Sequence, residues 1–441
     1  MPNETLFPLG EIQQAPSDED VPVKGAPRIQ YAVRDQVEMI MSDLDSLIAP
    51  DHQARIVWAF AEKQDLSPLY DRIAARDDRP GRTPIDPRIL MALWLNATLD
   101  GVGAARELDR RCTEDIAYKW LCGGVSVNYH TLSDFRVGHG DFLDALLTRD
   151  VAALLSEGLV DLNRVAQDGM RVRASAGAAS FRRKPTLEEC LEEAETQVER
   201  LRTELEESPG EGSKRERAAR ERAARERLDR VKRALTRSEE LQAQKSEKDK
   251  DKVRVSTTDP EVAVMKMGDG GFRPAANVQF ATSTASQVIT GFDVTGRGSD
   301  QGEMAPMVEQ HQERHDTYPG EVLVDGGYAK KEDIDAVSVP EKGCTVYAPV
   351  PKPKDKERDR YEPLPGDSAA VAQWRQRMGT EQAKEVYKER AACAECVNAI
   401  ARNRGLRQFT VRGLKKIKTV VLWYVLAHNL MRGHALRAVP A

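Results

Sequence analysis

Along residues 31–160 the apolar positions recur every three or four residues, the period of one buried helix face. VEMIMSDLDSLIA (37–49), ARIVWAFAEKQ (54–64) and DPRILMALWLNATL (86–99) each carry that spacing, so each predicts a helix. Pro87 directly after Asp86 fits a first helical turn, where a missing N–H costs nothing. GVGAARELDRRCTEDIAYKWLCGG (101–124) predicts two short helices with a turn between them, and the helical period continues through 130–159. Such an all-helical module either binds DNA through a helix-turn-helix arrangement or serves only as a packing domain, and periodicity does not separate the two.

The pattern changes after residue 160. VDLNRVAQDGMRVRAS (160–175) alternates apolar and polar residues, which predicts a strand. Leu187, Leu191, Ala194, Val198, Leu201 and Leu205 then form a heptad seam spaced 4-3-4-3-4. SPGEGS (208–213) breaks it, and a second charged helix carries Ala224, Leu228, Val231 and Leu235 on one stripe. The two predict an antiparallel helical hairpin inserted at about 186–252. Residues 261–296 return to short strand-like segments bounded by Gly, Asn and Ser, a β-meander pattern. A helix over 302–315, a buried strand, turn and helix over 320–338, a strand at 344–350, a polar loop at 352–367, helices over 369–403 and a final amphipathic helix over 413–436 follow. The order is α/β with a mixed sheet, preceded by an all-helical region, and divides the chain into a tail at 1–30, a helical domain at 31–160 and an α/β domain at 161–441.

The net charge of −5 argues against a nucleic-acid partner until its distribution is considered. Residues 1–20 hold five acids and no base, which reads as a disordered acidic tail, whereas 401–441 hold nine Lys and Arg and no acid, and 169–187 hold five and no acid. The basic stretches are either solvated faces or sources of phosphate contacts. No apolar run approaches the ~18–20 residues of a membrane span. The N-terminus has no secretory pattern, and six scattered Cys suit a reduced cytoplasmic chain.

Three carboxylates stand out. Asp168 sits inside the first strand between Val165-Ala166 and Met170-Val172, where a charge is costly unless paired or bound to metal. Asp325 follows the apolar run Val322-Leu323-Val324 and precedes Gly326-Gly327, at the strand end where α/β sheets place ligands. Glu395 lies in a helix between Ala394 and Cys396, among small residues. Each alone is compatible with a structural role, since a carboxylate ending a strand is often a cap. Other candidates fall away. His311 and His315 are four apart on a helix, but Gln312 stands where the zinc-protease pattern needs Glu. Cys393 and Cys396 have no second pair, and GDGG (268–271) lacks the Lys-Ser/Thr of a phosphate loop. Asp300 could stand behind the other acids, while Trp423 and Tyr424 read as core.

Taken together the segments resemble bacterial insertion-sequence transposases of the DDE class. The resemblance rests on GVGAARELDRRCTEDIAYKWLCGG with TLSDFR (101–136), VAQDGMRVRASAG (165–177), TDPEVAVMKMGDGGFRPAANVQFA (258–281), VLVDGGY (322–328) and YKERAACAECVNAIARNRGLRQFTVRGLKK (387–416), and covers about 31–435. It implies an RNase H-like core in which Asp168, Asp325 and Glu395 hold two Mg²⁺, with Mn²⁺ able to substitute. It implies cleavage at the inverted-repeat ends of an element, and attack of the released 3′-hydroxyl on target DNA. Tyr387, Arg390, Glu395 and Arg402 approximate the family's Tyr-Arg-Glu-Lys signature, with one extra residue between Arg390 and Glu395 and with Arg402 in place of Lys. Tyr387, Arg390 and Arg402 are then DNA contacts, and Arg412, Lys415 and Lys416 further backbone contacts. A homodimer on DNA, in a nucleoid-associated cytoplasmic setting and without a membrane, is expected. The alternatives are an RNase H-like structure-selective nuclease, a catalytically silent inverted-repeat binder, or a coiled-coil scaffold built on the hairpin.

Overall fold

A computed structural model describes residues 41–75, 83–207, 213–353 and 357–438, and Leu44–Ala441 form one compact unit. The expected acidic tail lies outside the described residues. So does the start of the helix expected at 37–49; of its remainder, Asp45–Leu47 form a single 3-10 turn that ends where Ile48 turns extended, so no full helix forms there.

Seven helices come first: α1 (Gln53–Lys63), α2 (Ser67–Tyr70), α3 (Pro87–Leu99), α4 (Ala105–Glu114), α5 (Ile116–Cys122), α6 (Tyr129–Gly138) and α7 (Gly140–Ser156). Asp86 caps α3 by accepting from the Arg88 N–H, with Pro87 in the first turn as its sequence implies. One residue, Asp115, separates α4 from α5 and caps the latter. The chain then enters β1 (Arg164–Arg173), the short β2 (Phe181–Arg182), the long helices α8 (Lys184–Glu207) and α9 (Lys214–Ala243), α10 (Glu247–Lys250) and β3 (Val255–Ser256). Strands β4 (Ala263–Lys266), β5 (Phe272–Ser283) and β6 (Ile289–Thr295) follow, then α11 (Met304–His315), β7 (Glu321–Leu323), α12 (Lys331–Val337) and β8 (Thr345–Tyr347). The C-terminal part holds α13 (Ala369–Met378), α14 (Glu381–Arg390), a π-helical turn (Ala391–Glu395), α15 (Cys396–Asn403) and α16 (Leu414–Ala438).

The sheet is mixed, and β1 is at its centre. On one side β1 pairs antiparallel with β5, which pairs in turn with β6 and β4; on the other it runs parallel to β7, and β7 parallel to β8. The β4–β5 turn is the GDGG segment, where Gly270 takes a φ of 81° and the Gly271 carbonyl receives the Met267 N–H.

The helical hairpin leaves the sheet after β1 and is closed at its base by β2 pairing with β3. Of the predicted seam, Leu187, Ala194, Ala224 and Val231 are buried, while Leu191, Val198, Leu201, Leu228 and Leu235 are half-buried and the Leu205 side chain lies outside the described residues; Ala234, off the predicted stripe, is also buried. Charge complements the seam: Arg227 reaches Glu193 at 3.0 Å and Arg220 reaches Glu204 at 3.1 Å.

The final helix departs from its expected amphipathic character. Every residue from Thr419 to Leu430 is buried, so the middle of α16 is enclosed all round and runs through the protein's interior. It packs against α3, α6, α7 and β6, so the helical region and one face of the sheet share a continuous core, and the expected boundary near residue 160 falls within it. Trp423 donates to the Arg136 carbonyl at 2.9 Å, and Asn429 pairs with both backbone groups of Ile289 on β6. Trp423 and Tyr424 are core residues. No helix among the described residues is long and apolar enough to cross a membrane.

Candidate active site

Side chains alternate across β1, so Ala166, Asp168, Met170 and Val172 face one side, and Gln167, Gly169 and Arg171 the other. Asp168 is therefore set into an apolar face covered by α14 and α15. Its Oδ1 accepts from Arg390 Nη2 at 3.0 Å and its Oδ2 from Asn398 Nδ2 at 2.9 Å. Burial pushes the Asp168 carboxyl above its ordinary pKa, with Asp325 and Asp300 adding to the rise and Arg390 and the Gly169 N–H opposing it.

Asp325 emerges just beyond β7. Its Oδ1 accepts from the Gly327 N–H at 2.6 Å, so it caps the turn, while Oδ2 faces Arg390 Nη2 at 4.0 Å. Glu395 ends the π-helical turn with Oε1 3.8 Å from Arg390 Nη1. One guanidinium, only 11% exposed, thus stands against all three carboxylates.

The π turn explains how Arg390 and Glu395 meet despite the extra residue between them. In an α-helix, five residues rotate by roughly 500°, leaving the two side chains about 140° apart. A π turn bonds i to i+5 and brings residues five apart onto one face. From Glu395 the chain is α-helical again, so Asn398, three residues on, shares that face. Arg164 holds this segment to the sheet, pairing with Glu321 on β7 and with Glu389 of α14 at 2.5 Å.

Tyr387 is half-buried one turn before Arg390; burial raises its phenol pKa, opposed by the Arg390 charge, with Asp325 and Asp168 adding to the rise. It joins the cluster. Arg402 is exposed on α15, seven residues and so about two turns beyond Glu395. Arg412, Lys415 and Lys416 are exposed at the start of α16, away from the carboxylates in sequence. The Gly413 and Leu414 N–H groups there already donate to Asp259 and Glu261.

Behind Asp168, on the opposite face, lies a polar network. Asp300 is 7% exposed; its Oδ1 accepts from Asn277 at 2.7 Å and Gln279 at 2.9 Å, and its Oδ2 from Arg171 at 2.7 Å. Tyr328, fully buried, donates to Gln279, and Gln167 donates to both Gln279 and the Glu303 carbonyl. Gly169 leaves room for it: a Cβ there would lie 2.4 Å from Asp300 Oδ1. Asp300 supports the strand from behind rather than joining the cluster. His311 is buried and His315 half-buried, and both are bonded to Thr290, His311 at the Thr290 hydroxyl and His315 at the Thr290 carbonyl. Cys393 is buried against the Thr282 and Ser283 carbonyls.

Sequence reasoning missed Asn398, although its i+3 spacing from Glu395 was a usable signal. It also missed the partners of Asp300, which come from two strands, β1 and β5.

Among the described residues no three His, Cys, Asp or Glu side chains are gathered closely enough to hold a metal ion, and the cation between the carboxylates is Arg390.

Two comparisons bear on identity. A family model described as Transposase domain (DUF772) matches residues 42–137, and one described as Transposase DDE domain matches 342–434. The second match contains Glu395, Arg390 and Asn398, while Asp168 and Asp325 lie between the two. No curated protein and no solved structure matches the chain. A transposase-domain match over the helical N-terminal region and a DDE-domain match over the C-terminal part, around a mixed α/β sheet, support an insertion-sequence transposase of the DDE class.

Proposed function

We propose that this protein is a transposase that cuts DNA at the ends of an element and joins the released 3′ ends to target DNA, with Asp168, Asp325 and Glu395 as its catalytic carboxylates. The observation that carries the reading is their convergence, from a central strand, the end of the neighbouring strand and a late helix, on a single cationic group. The sheet, a central strand with an antiparallel meander on one side and two parallel strands on the other, supports an RNase H-like core.

The chemistry of the donor set suits Mg²⁺, a hard cation that takes one or two carboxylates and keeps water and substrate oxygens, with Mn²⁺ as substitute, and the carboxylates would draw together on it as Arg390 withdraws. Asp168, Asp325 and Glu395 would hold two such ions, whose chemistry is to activate the attacking oxygen and stabilise the leaving one. The chain's own groups supply the rest. Arg390 offsets part of the charge of the three carboxylates, and its planar fork can exchange them for a DNA phosphate. Tyr387 stands one turn away to contact the strand near the cut. Arg402, Arg412, Lys415 and Lys416 are exposed cations for backbone phosphates further along. At α16 those phosphates meet side chains rather than the helix N-terminus, whose amides Asp259 and Glu261 already hold. Helices α4 to α6, in the other matched region, are the second DNA-binding element. Two element ends need two active sites, so the protein acts as a dimer on DNA, in the cytoplasm where the nucleoid lies.

The test is cleavage of labelled DNA carrying the gene's own flanks, with Mg²⁺ or Mn²⁺, by the wild type and by Asp168→Ala, Asp325→Ala and Glu395→Ala. Cleavage at the element ends, lost in all three variants, is expected; cleavage that persists in Asp325→Ala would place the active site elsewhere.

A further inference from the structure

Asn398 is buried, with 4% of its surface exposed, and makes one polar side-chain contact that matters to the cluster: Nδ2 donates to Asp168 Oδ2 at 2.9 Å. Its Oδ1 is buried and has no hydrogen-bond partner. A buried amide with an unsatisfied oxygen is costly, and a packing role does not explain why an apolar residue does not stand there. The orientation is not arbitrary. With the amide turned over, its oxygen would face the Asp168 carboxylate and lose the only bond the group makes.

Asp168 has two oxygens, and the structure divides them. Oδ1 carries the guanidinium of Arg390, a partner shared with Asp325 and Glu395; Oδ2 carries the neutral amide of Asn398, shared with neither. The first contact is exchangeable, because another cation can replace a guanidinium. The second need not break when that happens. A neutral donor holds the carboxylate without competing for its charge, whereas a Lys would compete and an Asp would repel. The π turn sets this division, since it aligns Arg390, Glu395 and Asn398 on one face.

We infer that Asn398 is a positioning residue of the active site, holding Oδ2 of Asp168 so that Oδ1 is presented to the divalent cation that displaces Arg390. This rests on the reading of Asp168 as a metal-holding carboxylate. Groups that orient a ligand in this way typically contribute about 10- to 100-fold to metal affinity.

The experiment is calorimetric titration of the full-length chain with Mn²⁺ alone. It compares wild type, Asn398→Ala, Asn398→Leu, Asn398→Ser and Asp168→Asn, with thermal unfolding in EDTA recorded for each. The expected result is Mn²⁺ binding by the wild type, its loss in Asp168→Asn, and about 10- to 100-fold weaker binding in Asn398→Ala and Asn398→Leu. Asn398→Ser, which keeps a donor, is expected to recover part of the affinity. Asn398→Leu restores buried volume, so weak binding by a variant as stable as wild type separates positioning from packing. If Asp168→Asn loses Mn²⁺ while Asn398→Ala and Asn398→Leu bind it as wild type does, the positioning role is overturned and the active-site reading stands. If wild type and Asp168→Asn give the same titration, the active-site reading itself fails and takes this inference with it.

Discussion

Asp168 and Asp325 each stand two residues beyond Ala166 and Leu323, the last parallel pair between β1 and β7. The shared offset brings two carboxylates out at the same level of adjacent strands, one in the sheet and one in the turn that leaves it. The Asp325 charge so placed disfavours ionisation of Asp168, which adds to the rise that burial imposes on it. The Arg390 guanidinium is what balances them in this state.

Removing that guanidinium therefore destabilises the protein in the absence of metal. Arg390→Ala leaves the largely buried Asp168 with neutral partners, the Asn398 amide and the Gly169 N–H, and breaking a buried pair costs about 3 kcal/mol or more. Urea unfolding in EDTA is expected to show that loss, and added Mg²⁺ or Mn²⁺ is expected to restore part of it by taking the vacated charge position. Equal stability of wild type and variant in EDTA would mean that Arg390 does not neutralise the cluster.

The strand that carries Asp168 also depends on the residue after it. At Gly169 a methyl group would lie 2.4 Å from Asp300 Oδ1, 2.5 Å from Gln279 Nε2 and 3.0 Å from Asn277 Oδ1. All three belong to one buried network, so none can move without breaking a bond to another. Gly169→Ala is expected to lower unfolding stability by about 1–3 kcal/mol, the usual range for overpacking. Asp300→Asn in the same protein is expected to lose the Arg171 pairing, and the two effects are expected not to add, because they disrupt the same contacts. Additive losses would show that the network is not one unit.

How much of this was readable beforehand depended on how local each signal was. Asp168 and Asp325 were legible because a charge within strand alternation, or just after an apolar run, conflicts with its neighbours in the chain. Glu395 was legible from the small residues around it. The extra residue between Arg390 and Glu395 looked like a departure from the family signature, since a π turn and an α-helix have the same apolar texture in sequence. Its meaning comes from the face it restores. Asn398 and Asp168 are 230 residues apart, and the partners of Asp300 come from β1 and β5. Nothing local marks the partners of Asp300, and for Asn398 the local signal is its i+3 spacing from Glu395 alone. The inner course of α16 differs from the expected amphipathic helix, because its middle, from Thr419 to Leu430, is enclosed on every side by elements distant in the chain.

The two family-matched regions meet at a pair of glycines. Gly405, with a φ of 88°, follows α15, and a Cβ on it would lie 3.0 Å from the Gly101 carbonyl oxygen, before α4. Gly124 has a similar φ of 83°, with nothing within 4 Å of where its Cβ would be. Alanine at either position bears the left-handed strain of about 1 kcal/mol, but only at Gly405 must a backbone contact also give way. Gly405→Ala is expected to be less stable than Gly124→Ala by about 1–2 kcal/mol in urea unfolding, and to cleave DNA more slowly, since α15 carries Asn398 and Arg402. Equal losses at the two sites would remove the Gly101 contact from the account.

One pH dependence follows from Asp150 on α7. Burial is the main cause that lifts its carboxyl to about 6; Arg437 opposes the rise and Glu157 adds to it, and Oδ2 has no hydrogen-bond partner. In the unfolded chain an Asp titrates near 3.9. The folded state therefore holds the proton more tightly, so this group's contribution is fully present below about pH 4 and is lost as pH rises through about 6. Two pKa units correspond to nearly 3 kcal/mol, reduced to about 2 because the side chain is only partly shielded from solvent. Asp150→Asn keeps the shape without the charge. It is expected to match or fall slightly below wild type at pH 4, and to exceed it by about 1–2 kcal/mol at pH 7.5, when both are unfolded in urea across that range. A stability difference that stays constant from pH 4 to 7.5 would show that Asp150 ionises as freely in the fold as outside it.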